Sequence, residues 1–378
     1  MNRQVTTGIG AAAAVLLLSG CELGPKVSTQ TGYRGTGVQQ IVDRNNIVQA
    51  AVIPPEAYPL PPEGGPTAAQ TYQNVQVLGA VSAERFNHLM AQMNQWVAPP
   101  EQGCNYCHNP ENMASDEKYT KVVARRMLQM TQNINSKWSS HVKQTGVTCY
   151  TCHRGNPVPA NVWTMTQPAN ANIDTIRGNK RGQNSPDPNV GYASLPSDPF
   201  AAYFGGQGED QIRVASNQAL ASPMHVKSTK DAERSYGLMM HLSTALGVNC
   251  TYCHNSQSFR AWNLSSAQRA TAYYGIRMVG DSNKNYISPL QAVFPANRKG
   301  PHGDPYKVNC TTCHQGQSKP LGGVSMIAQA PSLRGAAVAA APQVGGPGAS
   351  TAVPEAFNDP SSMTDKTEPT LTTAPARK

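Results

Sequence analysis

Eight of the nine cysteines stand in one repeated pattern, Cys-x-x-Cys-His. The copies are Cys104, Cys107 and His108; Cys149, Cys152 and His153; Cys250, Cys253 and His254; and Cys310, Cys313 and His314. Two thiols at this spacing add across the vinyl groups of a haem to give thioethers, and the adjacent imidazole is carried under the iron as its proximal ligand. Four copies imply four covalent haem c groups. A low-spin, six-coordinate iron changes redox state with little rearrangement, so each site needs a second axial ligand.

The helices that must supply those ligands are legible in the spacing of apolar residues. Val123, Met127, Met130 and Ile134 recur at steps of four, three and four, marking one face of a helix that begins near Ser115 or Asp116. Seven residues further along that face lies His141. If the helix is continuous, Met127 and His141 are roughly 21 Å apart, too far to bind one iron, so they serve neighbouring haems. Ser82 caps an earlier helix carrying Phe86, Met90, Met93 and Val97, and Pro99 and Pro100 end it at about Ala98. Ser235, Met239, Leu242 and Leu246 mark a third helix. Ala267, Thr271, Tyr274 and Met278, following Ser265 and Ser266 as caps, mark a fourth. Helix followed by motif thus occurs four times, in two pairs, which predicts an internal duplication with pseudo-twofold symmetry. By repeat logic Met90, Met127, Met239 and Met278 would each serve the motif that follows. His141 competes for the fourth haem, and the residues alone leave both open.

With 6 Phe and 4 Trp in 378 residues, and with 32 Gly and 30 Pro, the chain has little to build a core from. Porphyrin faces supply the missing apolar surface. The predicted fold is mainly α: short helices and long irregular loops packed around four haems in two related pairs. The formal charge of +9 is offset by about eight propionate charges, and no Lys/Arg block suited to nucleic acid is present.

Residues 1–20 read as an export signal, with Arg3 before an apolar run from Gly8 to Leu18. Leu18, Ser19, Gly20 and Cys21 resemble a bacterial lipobox, which makes Cys21 the site of lipidation. An extended segment is expected over 21–80, the first dihaem half over 81–154, a connecting segment over 155–230 with a possible strand at Gln211 to Ser216, and the second dihaem half over 231–321. A low-complexity, disordered tail is expected over 322–378.

The four motifs, together with ARRMLQM ahead of His141, TGVTCYTCHRG, LMMHLSTALGVNCTYCH, GIRMVGD and CTTCHQG, resemble the tetrahaem cytochrome subunit of photosynthetic reaction centres of purple-type phototrophic bacteria. The resemblance runs from about Gly32 to Leu321. It implies Met90, Met127 and Met239 as sixth ligands of the first three haems and His141 as that of the fourth, and it leaves Met278 as packing. Met93 is the alternative to Met90, because the Pro99 to Gln102 segment is one residue longer than the family's pattern. The resemblance also implies an arginine that raises the potential of the third haem, at Arg269. It further implies a file of haems in the order three, four, two, one, counted from the bacteriochlorophyll special pair, and contact with the reaction-centre L and M subunits. The donor would be a soluble periplasmic cytochrome c or high-potential iron-sulfur protein. The protein would be an electron carrier, not an enzyme, lipid-anchored on the periplasmic face of the photosynthetic inner membrane. The rival readings are a multihaem c-type reductase, which requires one iron with an open position, and a generic periplasmic electron conduit.

Overall fold

The computed structural model describes residues 26–30, 38–43, 52–165, 190–195, 199–205 and 229–335. Within them the architecture is helical and loop-rich. A two-stranded antiparallel hairpin, β1 (Lys26–Gln30) and β2 (Gln39–Asp43), pairs Lys26 with Asp43 and Thr29 with Gln40. The α-helices are α1 (Ala68–Thr71), α2 (Ala83–Val97), α3 (Tyr119–Lys137), α4 (Ser139–Val142), α5 (Cys149–His153), α6 (Pro199–Phe204), α7 (Thr229–Leu246), α8 (Ala267–Ser282) and α9 (Cys310–His314).

Two of the four helices read from the apolar spacing start or stop where that reading places them. α2 follows Ser82 and ends at Ala98, before the two prolines, and α8 follows Ser266, but neither serine's hydroxyl makes the expected capping bond: that of Ser266 is committed to the Tyr252 carbonyl. α3 departs from expectation at both ends. Ser115 and Asp116 do not open it, because they are engaged ahead of it: Ser115 Oγ accepts from the Glu117 amide (3.2 Å), and Asp116 pairs with Arg125 (2.8 Å) and Lys121 (3.4 Å). At the other end the helix stops at Lys137. Trp138 leaves helical geometry (φ −104, ψ 27), and one further turn, α4, carries His141. His141 is therefore not a continuation of the Met127 face, and the straight-helix separation does not apply.

Two apolar cores form, and they do not coincide with the two sequence halves. One gathers Met130, Ile134, Phe204, Leu238, Met278 and Cys310; the other gathers Leu89, Trp96, Leu128, Cys149, Ile327 and Leu333. α3 contributes to both. The connecting segment enters the first core at two points: Trp163 Nε1 donates to the Val308 carbonyl (2.9 Å), and α6 buries Phe200 and Phe204. Aromatic residues flanking a Pro- and Gly-rich stretch account for this. The expected tail needs correction over 322–335, where Met326, Ile327, Ala330 and Leu333 are buried against α3, and Gln132 and Asn135 donate to the carbonyls of Ser332 and Leu333 (3.0 and 2.7 Å). Four apolar side chains among small residues were enough to seat that stretch. The expected signal, Cys21, the Gln211 to Ser216 strand and residues 336–378 lie outside the described residues.

Candidate functional site

The four motifs adopt two local geometries, alternating along the chain. The first and third sit on 3-10 turns, Gly103–Tyr106 and Cys250–Tyr252. In each, the histidine Nδ1 faces a carbonyl five residues on: Met113 for His108 (3.0 Å) and Phe259 for His254 (2.9 Å). Asn109 and Asn255 each accept from a backbone amide two residues later (2.9 and 2.8 Å). Thr120 and Ser266 hydroxyls donate to the Tyr106 and Tyr252 carbonyls (2.6 and 2.7 Å).

The second and fourth motifs are the single turns α5 and α9, which bring both thiols and the imidazole to one helix face. Thr148 and Asn309 precede them, their amides held by Thr151 Oγ1 (2.9 Å) and Thr312 Oγ1 (3.0 Å). Both turns end on left-handed residues, Arg154 (φ 51) and Gln315 (φ 50). There His153 Nδ1 faces the Asn156 carbonyl and His314 Nδ1 that of Gln317, each at 2.8 Å. The next glycine amide ties each turn to a long helix: Gly155 to the Trp96 carbonyl of α2 (2.9 Å) and Gly316 to the Ala245 carbonyl of α7 (2.8 Å).

Because a carbonyl only accepts, Nδ1 carries the proton in all four histidines and Nε2 keeps its lone pair. Burial lowers the pKa of His153 and His254, and that of His314 to about 4, keeping these imidazoles neutral as metal ligation requires. All eight motif cysteines are free thiols, and burial pushes Cys149 and Cys310 up to about 12 and Cys253 to about 11. Paired free thiols beside an imidazole oriented through Nδ1 fit haem c at each motif.

His141 meets the same specification from elsewhere. Its Nδ1 donates to the Thr271 carbonyl of α8 (2.9 Å), and its ring faces that of His314 with centroids 6.1 Å apart. The two rings meet at an interplanar angle of 66°, and His141 and His314, brought together from the two halves of the chain, would be the residues to hold one iron between them. Met278, the repeat-logic candidate, is 8% exposed inside the first core. Met127 and Met239 are partly buried at the edge of that core, and Met90 and Met93 both lie at the edge of the second. Arg269 lies over Trp262, its Cζ 3.9 Å from the ring centroid, and its Nη1 donates to the Ala261 carbonyl (3.0 Å) and Ser265 Oγ (2.8 Å). Burial lowers its pKa to about 10, which leaves it charged at neutral pH, and the charge acts on both Cys253 and His254. Across the two cores, Cys152 Sγ and Cys313 Sγ are 2.7 Å apart, so the second and fourth attachment turns abut.

Several contributors gave no sequence signal of this kind. The hairpin is strapped to the third motif: Gln40 Nε2 donates to the Gly247 carbonyl (3.2 Å), the Ile41 amide to Asn249 Oδ1 (3.2 Å), and Thr251 Oγ1 to the Gln39 carbonyl (2.6 Å). Asp281 accepts from Trp138 Nε1 and Asn133 Nδ2, both at 2.8 Å, and so holds the break between α3 and α4 against α8. His241 is 5% exposed beside Phe200, with ring centroids 4.5 Å apart, and burial takes its pKa to about 4.

Four c-type attachment motifs on a helical, loop-rich scaffold, each with an oriented histidine, define a c-type cytochrome. Residues 22–334 match the model of the family described as photosynthetic reaction centre cytochrome c subunit, and the chain belongs to that family. It is 50% identical over 342 residues to the photosynthetic reaction center cytochrome c subunit of Rubrivivax gelatinosus, covering 89% of this chain and 92% of the relative. The subunit of Thermochromatium tepidum is 45% identical over 356 residues (94% and 86%), and that of Roseobacter denitrificans 39% over 341 residues (86% and 90%). The chain is accordingly an electron-transfer subunit of a photosynthetic reaction centre, carries covalent haem c and is associated with the photosynthetic membrane. Among the described residues no helix is long and apolar enough to cross a membrane.

Proposed function

We propose that the chain binds four haem c groups and carries electrons from a soluble periplasmic donor, a cytochrome c or a high-potential iron-sulfur protein, to the photo-oxidised special pair held by the L and M subunits. It acts as a carrier, not a catalyst. Bound haem supplies a one-electron couple at each motif. Cys104 and Cys107, Cys149 and Cys152, Cys250 and Cys253, and Cys310 and Cys313 are the attachment thiols, and His108, His153, His254 and His314 the proximal ligands. Met90, Met127 and Met239 complete the first three sites and His141 the fourth. Thioether sulfur favours the ferrous state relative to a second imidazole, so the fourth site has the lower potential by ligand set alone. Arg269 opposes oxidation at the third site by its fixed charge. The protein works on the periplasmic face, held to lipid through Cys21.

The observation that carries this reading is the abutment of the second and fourth motifs, where Cys152 meets Cys313 and Arg154 Nη2 donates to the Cys313 carbonyl (3.4 Å). Adjacent sites suit a relay, and the second and fourth are neighbours in the order three, four, two, one. The test is flash excitation of membranes containing the complex. Haem oxidation should follow special-pair oxidation within one turnover and be lost when this chain is removed. Special-pair re-reduction at the same rate without the chain would refute the proposal.

A further inference from the structure

Building on the reading of His141 and His314 as the axial pair of one iron, we propose that Gly275 is the positioning residue for the His141 side of that pair. The evidence is steric. A Cβ placed on Gly275 would lie 2.5 Å from His141 Cε1, 2.8 Å from Nδ1 and 3.2 Å from Nε2. Carbon atoms do not approach that closely, and the obstacle is a short, planar ring rather than the loose end of a long side chain. Gly275 lies in the interior of α8, where glycine weakens a helix relative to alanine, so its presence there calls for a close approach by some neighbour. That neighbour is the His141 imidazole.

The slot and the hydrogen bond work together. Thr271 stands one helical turn before Gly275, and its carbonyl accepts from His141 Nδ1 at 2.9 Å. A side chain on Gly275 would occupy the space through which the ring reaches that carbonyl. With the slot open, the bond fixes the ring's rotation beside His314, whose ring centroid is 6.1 Å away, and leaves the proton on Nδ1 so that Nε2 keeps its lone pair. The ring arrives from a single turn, α4, which has little stiffness of its own. The surface of α8 therefore supplies the orientation. α8 carries Arg269 beside the third motif and Thr271 and Gly275 beside the fourth ligand set, so one helix from the second half serves two neighbouring sites.

The experiment uses the full chain, haem-loaded, in membranes. Gly275→Ala is compared with wild type, with Gly280→Ala on the same helix, whose added Cβ meets only the Tyr203 carbonyl at 3.3 Å, and with His141→Met. The readouts are haem stoichiometry, the near-infrared and paramagnetic-resonance signature of bis-histidine ligation, and a redox titration of the haems. Gly275→Ala is expected to abolish the bis-histidine signature of one haem and shift that haem's potential, leaving the others in place, while Gly280→Ala changes neither. Retention of the signature and of every potential in Gly275→Ala, with His141→Met shifting one haem, overturns the role of Gly275 and leaves the ligand assignment standing. No shift in His141→Met overturns the ligand assignment and this proposal with it. If Gly275→Ala does not accumulate, the double variant with His141→Ala decides: accumulation equal to His141→Ala alone confirms the clash, and accumulation as poor as Gly275→Ala alone refutes it.

Discussion

Replacing Asp281 with alanine should loosen the joint that presents His141, by an amount that follows from the contacts around the carboxylate. Asp281 accepts from Trp138 Nε1 and Asn133 Nδ2 at 2.8 Å and from Asn285 Nδ2 at 2.7 Å, and it faces Lys137 Nζ at 3.3 Å. The Lys137 side chain is 56% exposed, so that ion pair contributes little. Asn285 is exposed and would be rehydrated. The loss is then dominated by Trp138 Nε1 and Asn133 Nδ2, two donors left without an acceptor at about 1–3 kcal/mol each, or about 2–6 kcal/mol together. Asp281→Asn should fall between, since one amide oxygen replaces two carboxylate oxygens. The pH dependence carries a definite sign. Burial alone raises the Asp281 pKa, but the hydrogen bonds from Trp138, Asn133 and Asn285, with Lys137, outweigh it and hold the carboxyl below its ordinary range. Its stabilisation is therefore complete above the unfolded value of about 3.9 and is lost as pH falls through the lower folded value. Guanidinium unfolding of the haem-loaded chain, followed by far-ultraviolet circular dichroism, should show a lower midpoint for Asp281→Ala at pH 7, and the gap to wild type should narrow in acid. Equal midpoints at pH 7, or a gap that stays constant down to pH 3, would show that the carboxylate does not hold this joint.

Three further outcomes are expected. His141→Met should raise the potential of one haem, because thioether replaces imidazole, whereas Met278→Leu should cost less than about 1.5 kcal/mol as a near-isosteric swap and leave every potential in place; a redox titration showing the reverse would restore the repeat-logic ligand. Arg269→Gln should lower the potential of the third haem, since the charge that acts on Cys253 and His254 is removed; an unchanged titration would reduce Arg269 to its stack on Trp262. Cys21→Ser should abolish acylation and leave an uncleaved precursor or a released protein, and intact mass showing an unmodified Cys21 in the wild type would remove the lipid anchor from the proposal.

What was readable in the sequence was what short-range chemistry decides. Ser82 and Ser266 stand at the helix starts although neither hydroxyl caps its helix, and each Cys-x-x-Cys-His needs only one turn to align its three groups. The break at Trp138 was not readable, because the carboxylate that engages it is 143 residues away along the chain. The same limit hid Gly275, whose neighbour His141 comes from the other half, and the packing of Ile327 and Leu333, which depends on α3 being in place. Repeat logic favoured Met278 because duplication preserves helix positions.

The burial of Cys149 and Cys310 sets an order on the making of the protein. A thiol enclosed by its own fold, with its pKa near 12 and Cys149 and Cys310 only 9% and 8% exposed, is neither accessible nor appreciably ionised. Thioether formation at these two positions must therefore precede closure of the cores that contain them. At the second and fourth motifs the chain therefore reaches its folded shape with the covalent chemistry already complete, whereas Cys104 and Cys250 stay exposed after folding.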